Sequence, residues 1–197
     1  MVVLRRVGGV VLIVVTFLAG QALLRTSPGE NERAAPFFVP GHAFQPTTVD
    51  GLLVTVQGLR GAAKLHPAEG PALTAKGVWV LVRLELMATS HTTTAAYLAL
   101  ADRHGHTYRP STRLAQGLTE GSPKLQPGLP VNGEVAYEVP REFLTELSLR
   151  AAEHYDEALG LRSRAVTDIA IQVSPADADR WAAEPDPAVL AVTQVVA

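Results

Sequence analysis

The chain contains no cysteine among its 197 residues. This absence excludes disulfide bonds, cysteine-based zinc sites, thiolate nucleophiles and the acylated cysteine of a lipoprotein. Charge is also scarce, since charged residues make up 18% of the chain, the net charge is −2, and the basic residues are scattered. We therefore expect no nucleic-acid partner. A chain of this length can form one medium-sized domain whose core needs no covalent cross-link.

The sequence also lacks the Gly-x-Ser-x-Gly motif that presents the nucleophilic serine in many hydrolases. Its nearest approach, Gly121-Ser122-Pro123, has no second glycine. Three glutamates of the predicted strands, Glu85, Glu134 and Glu138, are expected to point outward or to lie at the periphery. We therefore predict that the protein is not an enzyme and has neither catalytic residues nor a cofactor.

The first 25 residues carry a long uncharged run. Arg5-Arg6 precedes the apolar segment Val7–Leu24, whose 18 residues would span about 27 Å as a helix, close to the bilayer's hydrocarbon thickness of about 30 Å. The paired arginines favour a cytoplasmic N-terminus, so residues 1–25 are predicted to form a single-pass signal anchor in the cytoplasmic membrane, with the domain outside. The alternative is a cleaved signal peptide, with Gly20 and Ala22 before the cleavage site, and a secreted protein.

Residues 26–46 are predicted to be a tether because prolines and glycines recur through them. One part of this segment, Phe37-Phe38-Val39, is too apolar for a freely solvated linker. We expect these three residues to lie against the domain as a short edge segment.

The segment from Gly77 to Met87 alternates with a period of two. One face carries only aliphatic residues, and the other carries Trp79, Leu81, Arg83 and Glu85; the aliphatic residues are Val78, Val80, Val82, Leu84 and Leu86. A helix would need apolar spacings of three and four instead. This pattern predicts a long central β-strand that packs on the core.

Other short alternating runs between residues 47 and 173 predict further strands. They include a first strand at Leu52–Leu59, a loop from Gly61 to Lys76, and a hairpin that turns at Asp102-Arg103-His104-Gly105. No long helical pattern interrupts residues 47–173. The fold class is therefore predicted to be all-β, an antiparallel β-sandwich.

Residues 174–197 are predicted to form a short helix and a tail. Ser174 can cap the helix, Pro175 suits its first position, and Asp177 favours its positive end. The tail is apolar on both faces, and Val189, Val192 and Val195 are its candidate partner-binding residues. We expect the tail to add as an edge strand, either to its own sandwich or to a neighbouring protein.

Two further features could bind a ligand. His104 and His106 are two residues apart near Asp102, which makes them weak candidates for metal ligands; a zinc site needs three or four ligands, and an exposed hairpin tip is the simpler interpretation. Trp79 lies opposite the aliphatic face of the central strand and could belong to an exposed partner-binding patch. The alternative is that the helix around Trp181, or the tether, covers it.

The order and spacing of four segments resemble the immunoglobulin-like extracytoplasmic domains of bacterial surface proteins, and we expect an actinobacterial source. That group also resembles the mycobacterial secreted immunoprotective antigen. The four segments are Gly77–Leu86, Leu98–Tyr108, Leu125–Gly128 and Gly133–Pro140. The resemblance implies an immunoglobulin-like sandwich over about residues 38–173 and brings no catalytic residues with it.

Together these features predict a membrane-anchored, extracytoplasmic, non-catalytic binding or accessory module of the bacterial cell envelope. It would act through contacts with an envelope protein. The alternative function is an envelope hydrolase or a metal-handling protein that uses the His104/His106 hairpin.

Overall fold

The structure is a computed structural model that describes residues 21, 36–67, 70–119, 123–156, 160–161 and 163–195. The predicted signal anchor, Val7–Leu24, lies outside the described residues apart from Gln21. Within the described part of the chain, no helix combines the length and the apolar character that a membrane crossing requires.

The described chain is built mainly from β-strands. It also includes a 3-10 turn at Arg141–Phe143 and the helix α1 at Pro175–Ala183. The strands are β1 (Phe37–His42), β2 (Thr47–Val49), β3 (Leu52–His66), β4 (Leu73–Ala88), β5 (Tyr97–Asp102), β6 (Thr107–Tyr108), β7 (Val131–Val139), β8 (Glu146–Ala152), β9 (Tyr155–Asp156), β10 (Gly160–Leu161), β11 (Ala165–Gln172), β12 (Ala188–Val189) and β13 (Gln194–Val195).

These strands form two main sheets that share one core, and the predicted β-sandwich is therefore confirmed. Sheet A has the order β1-β11-β8-β5-β6, and sheet B has the order β12-β3-β4-β7-β13 with β2 paired to β3. β9 and β10 form a separate pair. The core joins Val82 and Tyr137 of sheet B to Leu149 and Ile169 of sheet A.

The predicted central strand is β4, which lies in the middle of sheet B between β3 and β7. The aliphatic face of β4 is fully buried in the shared core, whereas Arg83 on the opposite face is exposed. The predicted hairpin is also present as β5 and β6, with Gly105 at a φ of +87°. These features are local, and the sequence predicted them correctly.

The antiparallel prediction fails at two edges of the sandwich. β1 pairs with β11 in parallel, and β12 pairs with β3 in parallel. Each pair joins segments that are far apart in the sequence, so the long connection that a parallel pair needs is available. The ordered sheets consequently begin at Phe37, inside the predicted tether 26–46, and continue to Val195, inside the predicted tail.

The predicted loop from Gly61 to Lys76 is wrong over most of its length. β3 continues to His66 and β4 starts at Leu73. Two register irregularities, between Val56 and Gly58 and between Ala62 and Lys64, keep the longer strand paired with β4. The Trp181 ring of α1 packs directly on β3 at Gly61, where a larger side chain would collide with it. A glycine at this position therefore indicates close packing and not a loop.

The predicted start of the C-terminal helix is confirmed. The Ser174 hydroxyl accepts a hydrogen bond from the Asp177 N–H at 3.0 Å, and Pro175 occupies the first turn. Trp181 and Ala178 are buried on the core side of α1. The helix therefore closes one side of the sandwich core.

Candidate functional site

The C-terminal segment 188–195 crosses the outer face of sheet B, and we call it the C-terminal strap. Its first end pairs with β3 through Ala188 and Val189, and its second end pairs with β7 through Gln194 and Val195. Since β3 and β7 lie on opposite sides of β4, residues 190–193 must pass over β4. The tail thus docks on its own sheet at both edges, rather than adding as one edge strand.

Glu134 holds the strap in place. The Arg60 guanidinium donates to both carboxylate oxygens at 2.8 and 2.6 Å, and the Ala191 N–H donates to Oε2 at 2.9 Å. Arg60 Nη2 also donates to the Val189 carbonyl oxygen at 2.5 Å. Because Glu134 contacts the strap on the outer face of sheet B, its side chain points away from the shared core, as expected. The strap nevertheless covers it, and the side chain is only 5% exposed.

These partners keep Glu134 ionised. Burial raises the pKa of its carboxyl, but the hydrogen bonds from Arg60 and from the Ala191 N–H lower it by more, together with the charges of Arg60 and Arg83. The pKa of Glu134 therefore lies below its ordinary value. The carboxylate is a structural anchor for the strap.

Trp79 lies beneath the same strap and is completely buried. Its indole Nε1–H donates to the Leu73 carbonyl oxygen at 3.0 Å, and the Arg113 guanidinium lies 5.5 Å from its ring centre. This second apolar cluster of sheet B consists of Leu65, Trp79, Leu81, Leu114 and Ala136, with Ala188 and Leu190 packed against it. Trp79 is therefore inaccessible to a partner, and the strap and the 109–119 segment cover it in place of α1 or the tether.

The three predicted valines of the tail are the exposed side of the strap. Val189, Val192 and Val195 are 67%, 78% and 65% exposed, while Leu190 packs against the second apolar cluster. Thr193 lies against Gly117 and Gly133, so a side chain at either glycine would meet it. The backbone of the strap is fixed at several points, and its valines are displayed to solvent.

The turn of the β5–β6 hairpin gathers titratable groups around Asp102. This carboxylate is buried and accepts four hydrogen bonds. Oδ1 accepts from the N–H groups of His104 and His106 at 2.8 and 3.0 Å. Oδ2 lies 2.7 Å from His106 Nδ1 and accepts from the Tyr108 hydroxyl at 2.9 Å.

Burial raises the pKa of Asp102, but these four hydrogen bonds lower it by more, and the pKa lies well below its ordinary value. Burial and the bond to Asp102 raise the pKa of Tyr108. The rings of His104 and His106 are exposed, and both pack on Phe143 at centroid distances of 5.4 and 5.2 Å. Asp102, His104 and His106 can each offer a ligand atom, with all three atoms within 4.8 Å of one another.

Sequence reasoning missed Phe143 and Tyr108 as parts of this cluster. Tyr108 is two residues from His106 on the returning strand, so alternation could have indicated that the two side chains share a face. Phe143 comes from the 3-10 turn before β8, and no local pattern connects it to the hairpin. Its position is a consequence of the pairing of β5 with β8.

A second buried carboxylate was also missed. Glu153 accepts a hydrogen bond from the Gly51 N–H at 2.9 Å, and its oxygens lie 3.9 Å from His91 Nε2 and from His154 Nδ1. The two histidines are exposed and lie on different segments of the chain. At 3.9 Å neither imidazole makes a hydrogen bond to Glu153, so the main interaction of this carboxylate is with the Gly51 backbone.

A surface groove of about 590 Å³ runs along the 109–119 segment. Its two arginines are both engaged within the molecule. Arg109 lies 4.5 and 4.4 Å from the ring centres of Tyr97 and Tyr155, and Arg113 pairs with Glu138 at 2.7 Å. The groove therefore presents little unpaired charge to a ligand.

Comparison with known proteins gives similarities to solved structures alone. No family model and no curated protein matches the chain. MPT63, a secreted protein from Mycobacterium tuberculosis, is 14% identical with a TM-score of 0.47, covering 68% of this chain and 98% of that one. A conserved hypothetical protein from Bacillus anthracis is 16% identical with a TM-score of 0.45, covering 58% and 92%.

An uncharacterised β-sandwich protein from Clostridium difficile 630 is 11% identical with a TM-score of 0.43, covering 74% of this chain and 100% of that one. At these values the likeness assigns neither an activity nor a partner. The β-sandwich is established by the chain's own two sheets. Its immunoglobulin-like character and its actinobacterial source stay predictions.

Proposed function

We propose that this chain is a non-catalytic binding module of the bacterial cell envelope, anchored by residues 1–25 and displayed outside the cytoplasmic membrane. Its sandwich would be of the immunoglobulin-like type. It would contact an envelope protein through the valines of the C-terminal strap. The observation that carries this proposal is the exposure of Val189, Val192 and Val195 on a segment that is tied to its own sheet.

A single exposed apolar side chain is common and carries little information, but a row of them on a fixed backbone is different. At about 3.3 Å per residue, the segment from Val189 to Val195 can span at most roughly 20 Å. The contacts of Glu134 with Arg60 and Ala191 fix the backbone beneath this row. The strap backbone would therefore lose little conformational entropy when a partner binds. This preorganisation favours a protein contact.

The chemistry of the row defines the partner's surface. The valine side chains offer neither a hydrogen-bond donor nor a charge, so the complementary surface must be apolar at its centre. The proposed anchor restricts partners to proteins of the same compartment and keeps them at high local concentration. We expect an envelope protein with an exposed aliphatic or aromatic patch.

The test is in-cell photo-crosslinking of the full-length chain with a photoreactive residue at position 194, an exposed position of the strap that the test variants leave unchanged. We expect one specific envelope protein to crosslink and co-purify. Its recovery should fall at least about 10-fold in the Val189→Ser/Val192→Ser/Val195→Ser variant, because each substitution removes apolar contact area at the interface. Quantitative mass spectrometry of the crosslinked fraction measures the loss.

The matched control is Phe44→Ser, which removes an exposed apolar side chain, 72% exposed, from the loop between β1 and β2. It should retain the crosslink. Equal recovery from the valine variant and from the wild type would contradict the proposal, as would loss of the crosslink in both variants. Thermal unfolding of each variant verifies that the sandwich is intact.

A further inference from the structure

We propose that the tip of the β5–β6 hairpin binds a divalent transition-metal ion of the class that prefers imidazole ligands. His104 and His106 are its protein ligands, and Asp102 is the positioning carboxylate that orients His106. None of these residues belongs to the strap, so this inference is independent of the proposed partner contact.

The first argument is distance. One ligand atom from each of Asp102, His104 and His106 lies within 4.8 Å of the other two, and the centroids of the two imidazole rings are 6.1 Å apart. Two imidazole nitrogens bound to one tetrahedral zinc ion are about 3.4 Å apart, since each bond is about 2.0–2.1 Å long. The His104 side chain is exposed at the tip of the turn, so rotation of this side chain can bring one of its nitrogens toward His106 Nε2 without moving the strands.

The second argument is the tautomer of the neutral His106 ring. Asp102 accepts two backbone N–H groups and the Tyr108 hydroxyl, an arrangement that requires an ionised carboxylate. His106 Nδ1, 2.7 Å from Asp102 Oδ2, therefore carries the hydrogen and donates it. In the neutral ring the lone pair is then on Nε2, which is the carboxylate–histidine–metal arrangement found in metal sites.

The third argument is that a simple turn does not require these rings. The two backbone hydrogen bonds to Asp102 Oδ1 and the positive φ of Gly105 already define the turn. Across the described residues the His104 ring makes no hydrogen bond, and its neighbours include the rings of Phe143 and His106. The Phe143 ring packs against both imidazoles, and the centroids of the two imidazoles are 6.1 Å apart.

The donor set determines the class of ion. Imidazole nitrogen suits zinc, copper and nickel, whereas magnesium and calcium prefer an all-oxygen set. The oxygens of Asp102 are occupied by its four hydrogen bonds, so we assign it to orientation rather than to coordination. Water completes the coordination of an ion at this exposed tip, which makes the site exchangeable.

The test is titration of the purified full-length chain with Zn²⁺ and with Cu²⁺ by isothermal calorimetry. We expect one saturable equivalent, with Cu²⁺ bound more tightly than Zn²⁺ and no competition from Mg²⁺. His104→Ala and His106→Ala should each weaken binding at least about 10-fold, and Asp102→Asn about 10–100-fold, the range found for partners of metal-bound histidines. Electron paramagnetic resonance of the Cu²⁺ complex should show coupling to imidazole nitrogen.

The matched control is His66→Ala, an exposed histidine at the end of β3 that should leave binding unchanged. Unaltered binding by the His104→Ala/His106→Ala double variant would overturn the site, as would the absence of saturable binding by the wild type. An unchanged affinity in Asp102→Asn would overturn the positioning role. His104→Ala should retain the thermal stability of the metal-free protein, whereas His106→Ala removes one hydrogen-bond partner of the buried Asp102 and should lower it modestly. Calorimetric unfolding verifies that each variant is folded before its metal binding is compared.

Discussion

At the scale of single residues, two buried carboxylates are stabilised in different ways. Asp102 receives its four hydrogen bonds from residues within its own turn, 104 to 108. Glu134 receives its hydrogen bonds from β3 and from the strap, which are 74 and 57 residues away in the sequence. The first arrangement can form locally, whereas the second requires that the sheet and the C-terminus are already in place.

Both carboxylates should make the protein acid-sensitive, because their pKa values in the folded state are lowered. An unfolded aspartate takes up its proton near pH 3.9 and an unfolded glutamate near about 4.3, before the folded carboxylates do. The contribution of the two carboxylates to the free energy of unfolding should therefore be fully present above this pH range. It should decrease as the pH falls below the range. Urea unfolding between pH 2 and pH 7 measures the slope.

The slope of the unfolding free energy against pH reflects the number of protons taken up on unfolding. Asp102→Asn should reduce this number by at most about one, since it removes one of the two carboxylates. Asp50→Asn is the matched control, because Asp50 is exposed and adopts a φ of 48° that asparagine tolerates. A slope in Asp102→Asn equal to that of the wild type would contradict this account of Asp102.

At the scale of elements, the strap covers the outer face of sheet B, so that both faces of this sheet are packed. Without it, Trp79 and Leu81 of β4 would lie partly open to water on the outer face. The strap covers them with Leu190 and Ala188 and also occupies the outer edges of β3 and β7. The exposed strand edges that would otherwise invite association are thereby shortened.

Deletion of residues 188–197 should lower the melting temperature by roughly 5–15 °C. The change removes apolar cover from Trp79 and takes the Ala191 N–H from Glu134, at a cost of about 2–4 kcal/mol. For a protein of this size each kcal/mol corresponds to about 2–4 °C. Circular dichroism during heating measures the shift.

The control for this deletion is the Val189→Ser/Val192→Ser/Val195→Ser variant. It changes the exposed side of the strap and leaves the hydrogen bonds of Glu134 in place, so its melting temperature should stay close to that of the wild type. An unchanged melting temperature after the deletion would show that the strap contributes no stability to sheet B.

At the scale of the whole molecule, both ends of the sandwich domain close its edges. β1, the first described strand, forms one edge of sheet A beside β11. The strap, the last described segment, forms both outer edges of sheet B. The central strands are thus held by pairings on both sides, and the exposed Phe37 and Phe38 mark the start of the domain after the predicted anchor.

The proposed anchor predicts that the full-length chain stays in the membrane fraction after alkaline extraction. Protease added outside the cytoplasmic membrane should then digest the sandwich domain. Val14→Arg/Val15→Arg should release the protein from the membrane, because each arginine at the centre of a membrane helix costs about 2.5–3.5 kcal/mol. Immunoblotting of the fractions measures both results.

A conservative control is Val14→Leu/Val15→Leu, which keeps the segment apolar and should retain the membrane association. Recovery of a soluble mature form that starts near Leu23 would contradict the anchor and establish cleavage. Protection of the sandwich domain from external protease would contradict the proposed orientation.

The sequence by itself determined the features that depend on a few neighbouring residues. The alternation of Val78 to Leu86 predicted the central strand and its core face, and Ser174 with Pro175 predicted the start of α1. Gly105 predicted the turn of the hairpin. Side-chain alternation, helix capping and a positive φ are properties of the local backbone, so the linear sequence contains them.

Only the tertiary structure decided which segments cover which surfaces. The sequence left open whether Trp79 is exposed or is covered by α1 or the tether, and in the structure the strap covers it. Glu134 is buried through its contacts with Arg60 and Ala191. Phe143 joins His104 and His106 because β5 pairs with β8. These contacts join residues far apart in the chain, and the free energy that selects them comes from burying surfaces that no local pattern pairs with one another.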